Sequence, residues 1–370
     1  MKICICGGGS LGHVCAGVLS SHPDVEVSVL TRRPLLWSEE IRVTDPNGKV
    51  FVSSPLVRTS SEKEAVSGAD IVLLCLPGYL IEETLKSILP YIGENTCIGS
   101  IVSNTGFFFQ AHKILPPKTG LFGFQRTPFI ARVNEYGKSA FLLGYKKEIS
   151  VVLENIADRE SFRSLIERLF VTKTNLLNSF YEVSLSNSNP LLHTSRLYSL
   201  WHNYDGKTYS KPILFYKEWT NEASDLLIAM DQEFMEILKK LPVVSGAIPP
   251  ILEYYESTDS DSLTAKISSI PAFQTIVAPM KETPEGWVPD FSSRYFTEDF
   301  PFGLKYIKET ADSLGISIPT IDKVLKWGLK VVTLQSVCVR SRNRFVTTIT
   351  TTLSNNNSMA PTLCHGKEDL

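Results

Sequence analysis

What this chain has little of already narrows its function. It has no CxxC pair, so its seven cysteines offer no zinc-site spacing. They are Cys4, Cys6, Cys15, Cys75, Cys97, Cys338 and Cys364, an odd count. Cys4, Cys6, Cys75 and Cys97 sit in apolar runs, as reduced core cysteines of a cytosolic protein do. No sign of charge dominates: 37 Lys and Arg stand against 39 Asp and Glu, net −2. That balance leaves no global footprint for nucleic acid or an anionic membrane, though a small charged ligand needs only a few placed cations. No long apolar run exists either. The longest, Ile71–Ile81, is broken by Pro77 and Gly78 and cannot span a bilayer. Gly7–Gly9 leave no room for the apolar region of a signal peptide, so the expected location is the cytoplasm. Near the other end, Thr347–Asn357 is almost wholly Thr, Ser and Asn, and residues 336–370 are expected to form a polar, disordered tail. Its Cys364 and His365 are too few for a metal site, and no internal repeat is present.

What remains is 370 residues, 43% of them hydrophobic, enough for about two globular domains. The first half alternates strand and helix. Lys2–Cys6, Val25–Leu30, Ile71–Leu76 and Thr96–Ile101 read as strands, and Leu80–Leu89 as a helix. Such alternation predicts a doubly wound parallel sheet, α/β in class, over residues 1–150. Ile41–Val57, with Asp45-Pro46-Asn47-Gly48 at its centre, predicts an inserted hairpin. From Val151 the pattern turns helical, most clearly over Phe215–Leu241, and Pro301–Leu314 and Thr320–Val332 predict two further helices. A second, mostly helical domain is therefore expected over residues 151–335.

Gly7-x-Gly9-Ser10-Leu11-Gly12 follows the first strand and opens a helix. This spacing suits a dinucleotide: the chain turns tightly, backbone approaches a pyrophosphate, and the anion meets the helix N-terminus. An NAD site places an acid after the second strand to hold the ribose hydroxyls. Here Leu30 is followed by Thr31, Arg32 and Arg33, whose guanidinium groups match a 2′-phosphate, so NADP is expected in preference to NAD. The Leu76-Pro77-Gly78 turn is placed as an adenosine or diphosphate ledge. Ser103-Asn104-Thr105-Gly106 lies where the nicotinamide end belongs.

In the second half, Asn189-Pro190-Leu191-Leu192-His193 predicts a helix start with Asn189 as N-cap and Pro190 at the first position. Asn189 and His193, four apart, could share a face. Further on, Arg294, Glu298 and Asp299 crowd one short stretch. Asp299 could complement a helix N-terminus, and Arg294 could pair with Glu298. Beside a nicotinamide, a cation, an acid and a histidine would suit carbonyl or imine reduction.

These residues carry a resemblance. The chain is similar to the octopine/nopaline (opine) dehydrogenase family. The resemblance rests on GGGSLG, TPFIAR at Thr127–Arg132, NPLLH at Asn189–His193, FYKEWT at Phe215–Thr220 with Asp231 downstream, and RYFTEDFPFGL at Arg294–Leu304. It implies coupling of an amino acid to a 2-oxo acid with reduction of the imine by NAD(P)H, reversibly. It implies a catalytic dyad of His193 and Asp299, with Arg294 holding a substrate carboxylate. In this scheme Asp299 fixes the tautomer of His193. By the same resemblance Asn189, Arg132 and Tyr216 are substrate-side candidates. Tyr216 and Glu218 equally suit a helix start, and Arg132 an ordinary surface site. Trp219 departs from the family's glycine and would reshape the pocket. Among other histidines, His202 falls about 180° around the helix from His193. His13 reads as a surface or packing residue, and His22 and His112 lie in loop contexts. Two rivals share the plan: a 2-oxo acid reductase resembling ketopantoate reductase, and an NADP(H)-binding redox sensor without turnover. The helical surface could support a homodimer.

Overall fold

The computed structural model describes residues 1–53 and 56–334. The predicted tail, with Cys338, Cys364 and His365, lies outside the described residues. Lys2–Cys6 (β1) leads through a glycine turn to Ser10–Ser20 (α1) and Glu26–Leu30 (β2). Arg42–Thr44 (β3), Val50–Val52 (β4), Val57–Thr59 (β5) and Glu62–Val66 (α2) follow. Then come Ile71–Leu74 (β6), Gly78–Ile88 (α3), Cys97–Ser100 (β7), Phe107–Ile114 (α4) and Leu121–Phe124 (β8). Phe129–Glu135 (β9), Ser139–Tyr145 (β10), Glu148–Glu154 (β11), Arg159–Phe170 (α5) and Lys173–Leu176 (β12) complete this half.

The main sheet has eight strands in the order β12-β11-β8-β7-β6-β1-β2-β5. Its pairs are parallel except β8–β11. Both faces are covered, as the apolar runs require. Ile3 and Ile5 pack with Val14 and Val18 of α1 and Ile166 and Leu169 of α5. The alternate residues Cys4 and Cys6 face the other way, into Ile81, Leu85 and Phe107 of α3 and α4. These two cysteines are free and buried, their sulfurs 3.9 Å apart. Cys75 and Cys97 are also free but only half-buried.

Two findings correct the expected layout. The sheet continues past residue 150 through β11 and β12, so no break falls at 150/151. The predicted hairpin exists as β3–β4, closed by Asp45 accepting from the Asn47 and Lys49 amides. It does not stand alone, because β10 pairs with β3 and gives a four-stranded sheet β4-β3-β10-β9. That pairing joins residues 97 positions apart, Arg42 with Ser139, and leaves no local trace.

Beyond β12 the chain is mainly helical, with Phe180–Ser184 (α6), Asn189–Trp201 (α7), Asn221–Leu238 (α8), Ile251–Tyr254 (α9) and Ser260–Ser269 (α10). The hairpin Met280–Thr283 (β13) and Gly286–Pro289 (β14) precedes Arg294–Thr297 (α11), a π-helical turn at Phe300–Leu304, Lys305–Ser313 (α12) and a helix over 319–334. The long helix expected over Phe215–Leu241 is shorter. Thr220 caps α8 by accepting from the Ala223 amide, which leaves 215–220 irregular. Leu227, Met230, Phe234 and Ile237 face the core as their spacing requires. No helix among the described residues is long and apolar enough to cross a membrane.

Candidate active site

The glycine turn joins β1 to α1. Gly7 has φ +126°, and a Cβ on Gly12 would stand 1.9 Å from the Gly7 carbonyl oxygen, so any side chain there would force strand and helix apart. A Cβ on Gly9 would meet nothing within 4 Å. Gly9 is also the N-cap of α1, with no side-chain cap and no acid in the first turn. The free amides of this helix end therefore open onto space, the arrangement that receives an anion.

That space is a cleft of about 730 Å³. Gly9, Ser10 and Leu11 line one part, and Cys75, Leu76, Pro77 and Tyr79 another. Val102 and Thr105 line the cleft but Asn104 between them does not. The second half of the chain contributes Ser292, Arg294 and Thr297. Arg294 is exposed and forms no ion pair among the described residues, so the alternative in which it pairs with Glu298 is not realised. Instead Glu298 is buried and its Oε2 accepts from the Gly78 amide at 3.3 Å, tying α11 to the N-terminus of α3. Burial pushes the Glu298 carboxyl above its ordinary range, against the pull of Arg294 and the amide. Its Oε1 is buried without a partner among the described residues.

At the end of β2, Thr31 is buried beside Gly8, whereas Arg32 and Arg33 are exposed and make no ion pair among the described residues. Arg132 is exposed on β9 and does not line the cleft.

His193 and Asp299, 106 positions apart in sequence, meet at 2.8 Å between Nδ1 and Oδ2. Helix α7 begins one residue earlier than expected: Ser188 is the N-cap and Asn189 the first helical residue, exposed and with no side-chain hydrogen bond among the described residues. His193 follows one turn later. Asp299 precedes the π turn, whose Leu304 amide bonds the Asp299 carbonyl. The carboxylate makes no cap bond there and is left for the imidazole. Gly303 permits the approach, since a Cβ on it would meet Pro190 at 2.5 Å. Both groups are largely buried, their side chains 11% and 16% exposed.

The other imidazole nitrogen is occupied too: Nε2 lies 2.8 Å from the Tyr216 hydroxyl. Sequence reasoning named Tyr216 without this bond. The one signal for it was the FYKEWT block of the resemblance, because the helix expected over Phe215–Leu241 hid the irregular segment that carries Tyr216. Tyr295 packs on the imidazole at 4.6 Å. Burial, reinforced by Tyr295, holds the Tyr216 phenol well above its ordinary range. Arg196, one turn after His193, is buried and donates to the carbonyls of Phe215 and Glu218. Burial lowers its guanidinium to about 10, still cationic at neutral pH. Trp219 does not open onto the cleft. It is buried, parallel to Tyr216 at 7°, and donates to the Ser224 hydroxyl.

The remaining histidines stand apart. His13 is a packing residue: Nδ1 bonds the Gly9 carbonyl, Nε2 accepts from the Gly137 amide, and Trp37 covers the ring. Burial lowers its basicity. His22 bonds the Leu169 carbonyl, His112 pairs with Glu154, and His202 stacks on Tyr198. Among the described residues no group of acids, histidines and cysteines could hold a metal.

Residues 176–332 match the family model for the NAD/NADP octopine/nopaline dehydrogenase alpha-helical domain, and residues 3–105 match that for ketopantoate reductase. A tauropine dehydrogenase of Arabella iricolor is 28% identical, over 89% of this chain and 90% of that one. An octopine dehydrogenase of Pecten maximus is 29% identical, over 88% and 89%. A solved octopine dehydrogenase with NADH and L-arginine superposes with TM-score 0.78 at 28% identity, over 90% of each chain. Over nearly its whole length the chain resembles octopine and tauropine dehydrogenases in sequence and fold, and its helical half matches the octopine/nopaline dehydrogenase alpha-helical domain.

Proposed function

We propose that this protein is an NADP-dependent opine dehydrogenase, coupling an amino acid to a 2-oxo acid and reducing the resulting imine, reversibly. The observation that carries the reading is the buried His193–Asp299 pair, whose Asp299 follows the cleft-lining Arg294 and Thr297 in the chain, together with the uncapped helix N-terminus on which that cleft opens. The cofactor would lie against Gly7, Gly9, Ser10, Leu11 and Gly12, with Leu76 and Pro77 as a ledge. The open Gly9 and the free amides of α1 fit a diphosphate. When bound, the reduced dinucleotide supplies a hydride to the imine carbon. Thr31, Arg32 and Arg33 favour NADP: no acid stands there for a ribose diol, and both guanidinium groups are unpaired among the described residues.

In this chain His193 is the acid–base group. Its Nδ1 bond to Asp299 fixes which nitrogen bears the proton, because a carboxylate can only accept. Arg294, exposed in the cleft, meets a substrate carboxylate by charge and by its paired donors. The five free cysteines among the described residues suit the reducing cytoplasm.

The experiment is an amino-acid by 2-oxo-acid panel with NADPH or NADH, following loss of reduced nicotinamide. Turnover that needs both substrates and prefers NADPH supports the reading. The ketopantoate reductase match over residues 3–105 favours a second reading, direct reduction of a 2-oxo acid. Turnover without any amine would select it. Cofactor binding with no oxidation across the panel would sink both.

A further inference from the structure

The dyad presents an obstacle to its own chemistry. Nδ1 of His193 is committed to Asp299, and Nε2, the nitrogen left to serve a substrate, is covered by Tyr216 at 2.8 Å. The phenol is not free to swing aside. Phe273 stacks on it at 4.4 Å and Trp219 lies parallel to it. Its backbone is pinned as well, because Arg196 donates to the carbonyls of Phe215 and Glu218 on either side. Arg196 and His193 share α7, so one helix sets both the imidazole and the loop that carries its partner.

We propose that Tyr216 is a catalytic residue, the outer member of an Asp299–His193–Tyr216 proton relay whose hydroxyl, and not Nε2, exchanges the proton with substrate. This rests on the opine dehydrogenase reading. In the condensation the carbinolamine C–O bond breaks as the nitrogen lone pair forms C=N. The departing oxygen takes the phenol proton and leaves as water. The phenol oxygen takes the Nε2 proton of the imidazolium, and the neutral ring keeps its Nδ1 proton on Asp299. The hydride and its electron pair, supplied by the reduced dinucleotide, then complete the secondary amine. The phenol is thus neutral before and after the step. Burial, which holds it against ionising, keeps it an intact conduit. Tyr295 at 4.6 Å and Phe215 at 5.8 Å pack against the imidazole.

The test is Tyr216→Phe, which keeps the stack and deletes one oxygen. A relay predicts a fall in kcat of about 100-fold, in the range of general acid–base catalysis, with the cofactor Kd unchanged. Added to His193→Ala, the same substitution should change little, since the two act as one unit. Independently of turnover, the Nε2 ¹⁵N resonance of His193 should move in Tyr216→Phe while Nδ1 stays. Wild-type kcat in Tyr216→Phe, a full multiplicative loss in the double variant, or an unmoved Nε2 resonance would each overturn the relay. The two readings fail separately. A wild-type protein that turns over no amine and 2-oxo acid pair refutes the function. An active wild type matched by Tyr216→Phe refutes the relay alone.

Discussion

Replacing Asp299 with Asn probes the centre of the proposed site with almost no change of shape. The carboxylate lies 2.8 Å from His193 Nδ1, and with the side chain 16% exposed the pair is only lightly screened. A hydrogen bond to a charged group contributes about 1.5–3 kcal/mol. If that stabilisation is expressed in the transition state, its loss lowers kcat about 10- to 150-fold. This is the lower bound, for an amide that turns its oxygen toward Nδ1. If the amide nitrogen faces Nδ1, it donates, and the ring must take the other tautomer and place its proton on Nε2. The loss then grows toward the order of 10⁴. The assay is steady-state turnover on the best amino acid and 2-oxo acid pair, with cofactor affinity and thermal melting as controls. Unaltered kcat in a folded, cofactor-binding Asp299→Asn protein would refute the dyad.

Three further outcomes are expected. Arg32→Ala should weaken NADPH binding about tenfold, a charged contact discounted for its exposure, and leave NADH unaffected. Equal effects on both cofactors would remove the basis for NADP. Asp231→Asn should stabilise the fold at neutral pH. Burial raises this carboxyl from 3.8 to about 6, against the bond from the Ile251 amide, so the folded state holds its proton longer than the unfolded chain. Stability should fall as pH rises from about 4 to about 6, by roughly 3 kcal/mol at most, and denaturant midpoints in the Asn variant should lack that slope. Arg196→Met should cost about 2–4 kcal/mol in urea unfolding, because it orphans the buried carbonyls of Phe215 and Glu218. It should also lower kcat more than cofactor affinity, as Tyr216 loses its support.

The parts legible in the sequence are those set by near neighbours. The apolar run Ile71–Leu74 could be satisfied only between parallel strands, and the glycine spacing Gly7, Gly9, Gly12 only by a tight turn into a helix. The order of residues in α7 announced a helix start beside His193, though Ser188 rather than Asn189 takes the cap. The joining of β10 to β3 and the extension of the sheet through β12 were not legible, because pairing between distant strands is decided by packing. Glu298 shows the same limit. In sequence it stands four residues from Arg294 and invites a helical ion pair. In space its carboxylate turns to the Gly78 amide, across the boundary between the two halves.

The sequence by itself determined the elements and their chemistry: a dinucleotide turn, two cations after the second strand, and a histidine, an acid and an arginine in family-like blocks. Only the tertiary structure decided which of these meet. It set His193 against Asp299 through the close approach of Gly303 to Pro190. It left Arg294 open in the cleft and Arg132 outside it. It also closed the second imidazole nitrogen with Tyr216, because Arg196 and Trp219 hold the chain before α8 at that distance. Local pattern specifies periodicity and turns over a few residues, whereas a contact spanning more than a hundred exists only once the apolar faces of both halves have packed.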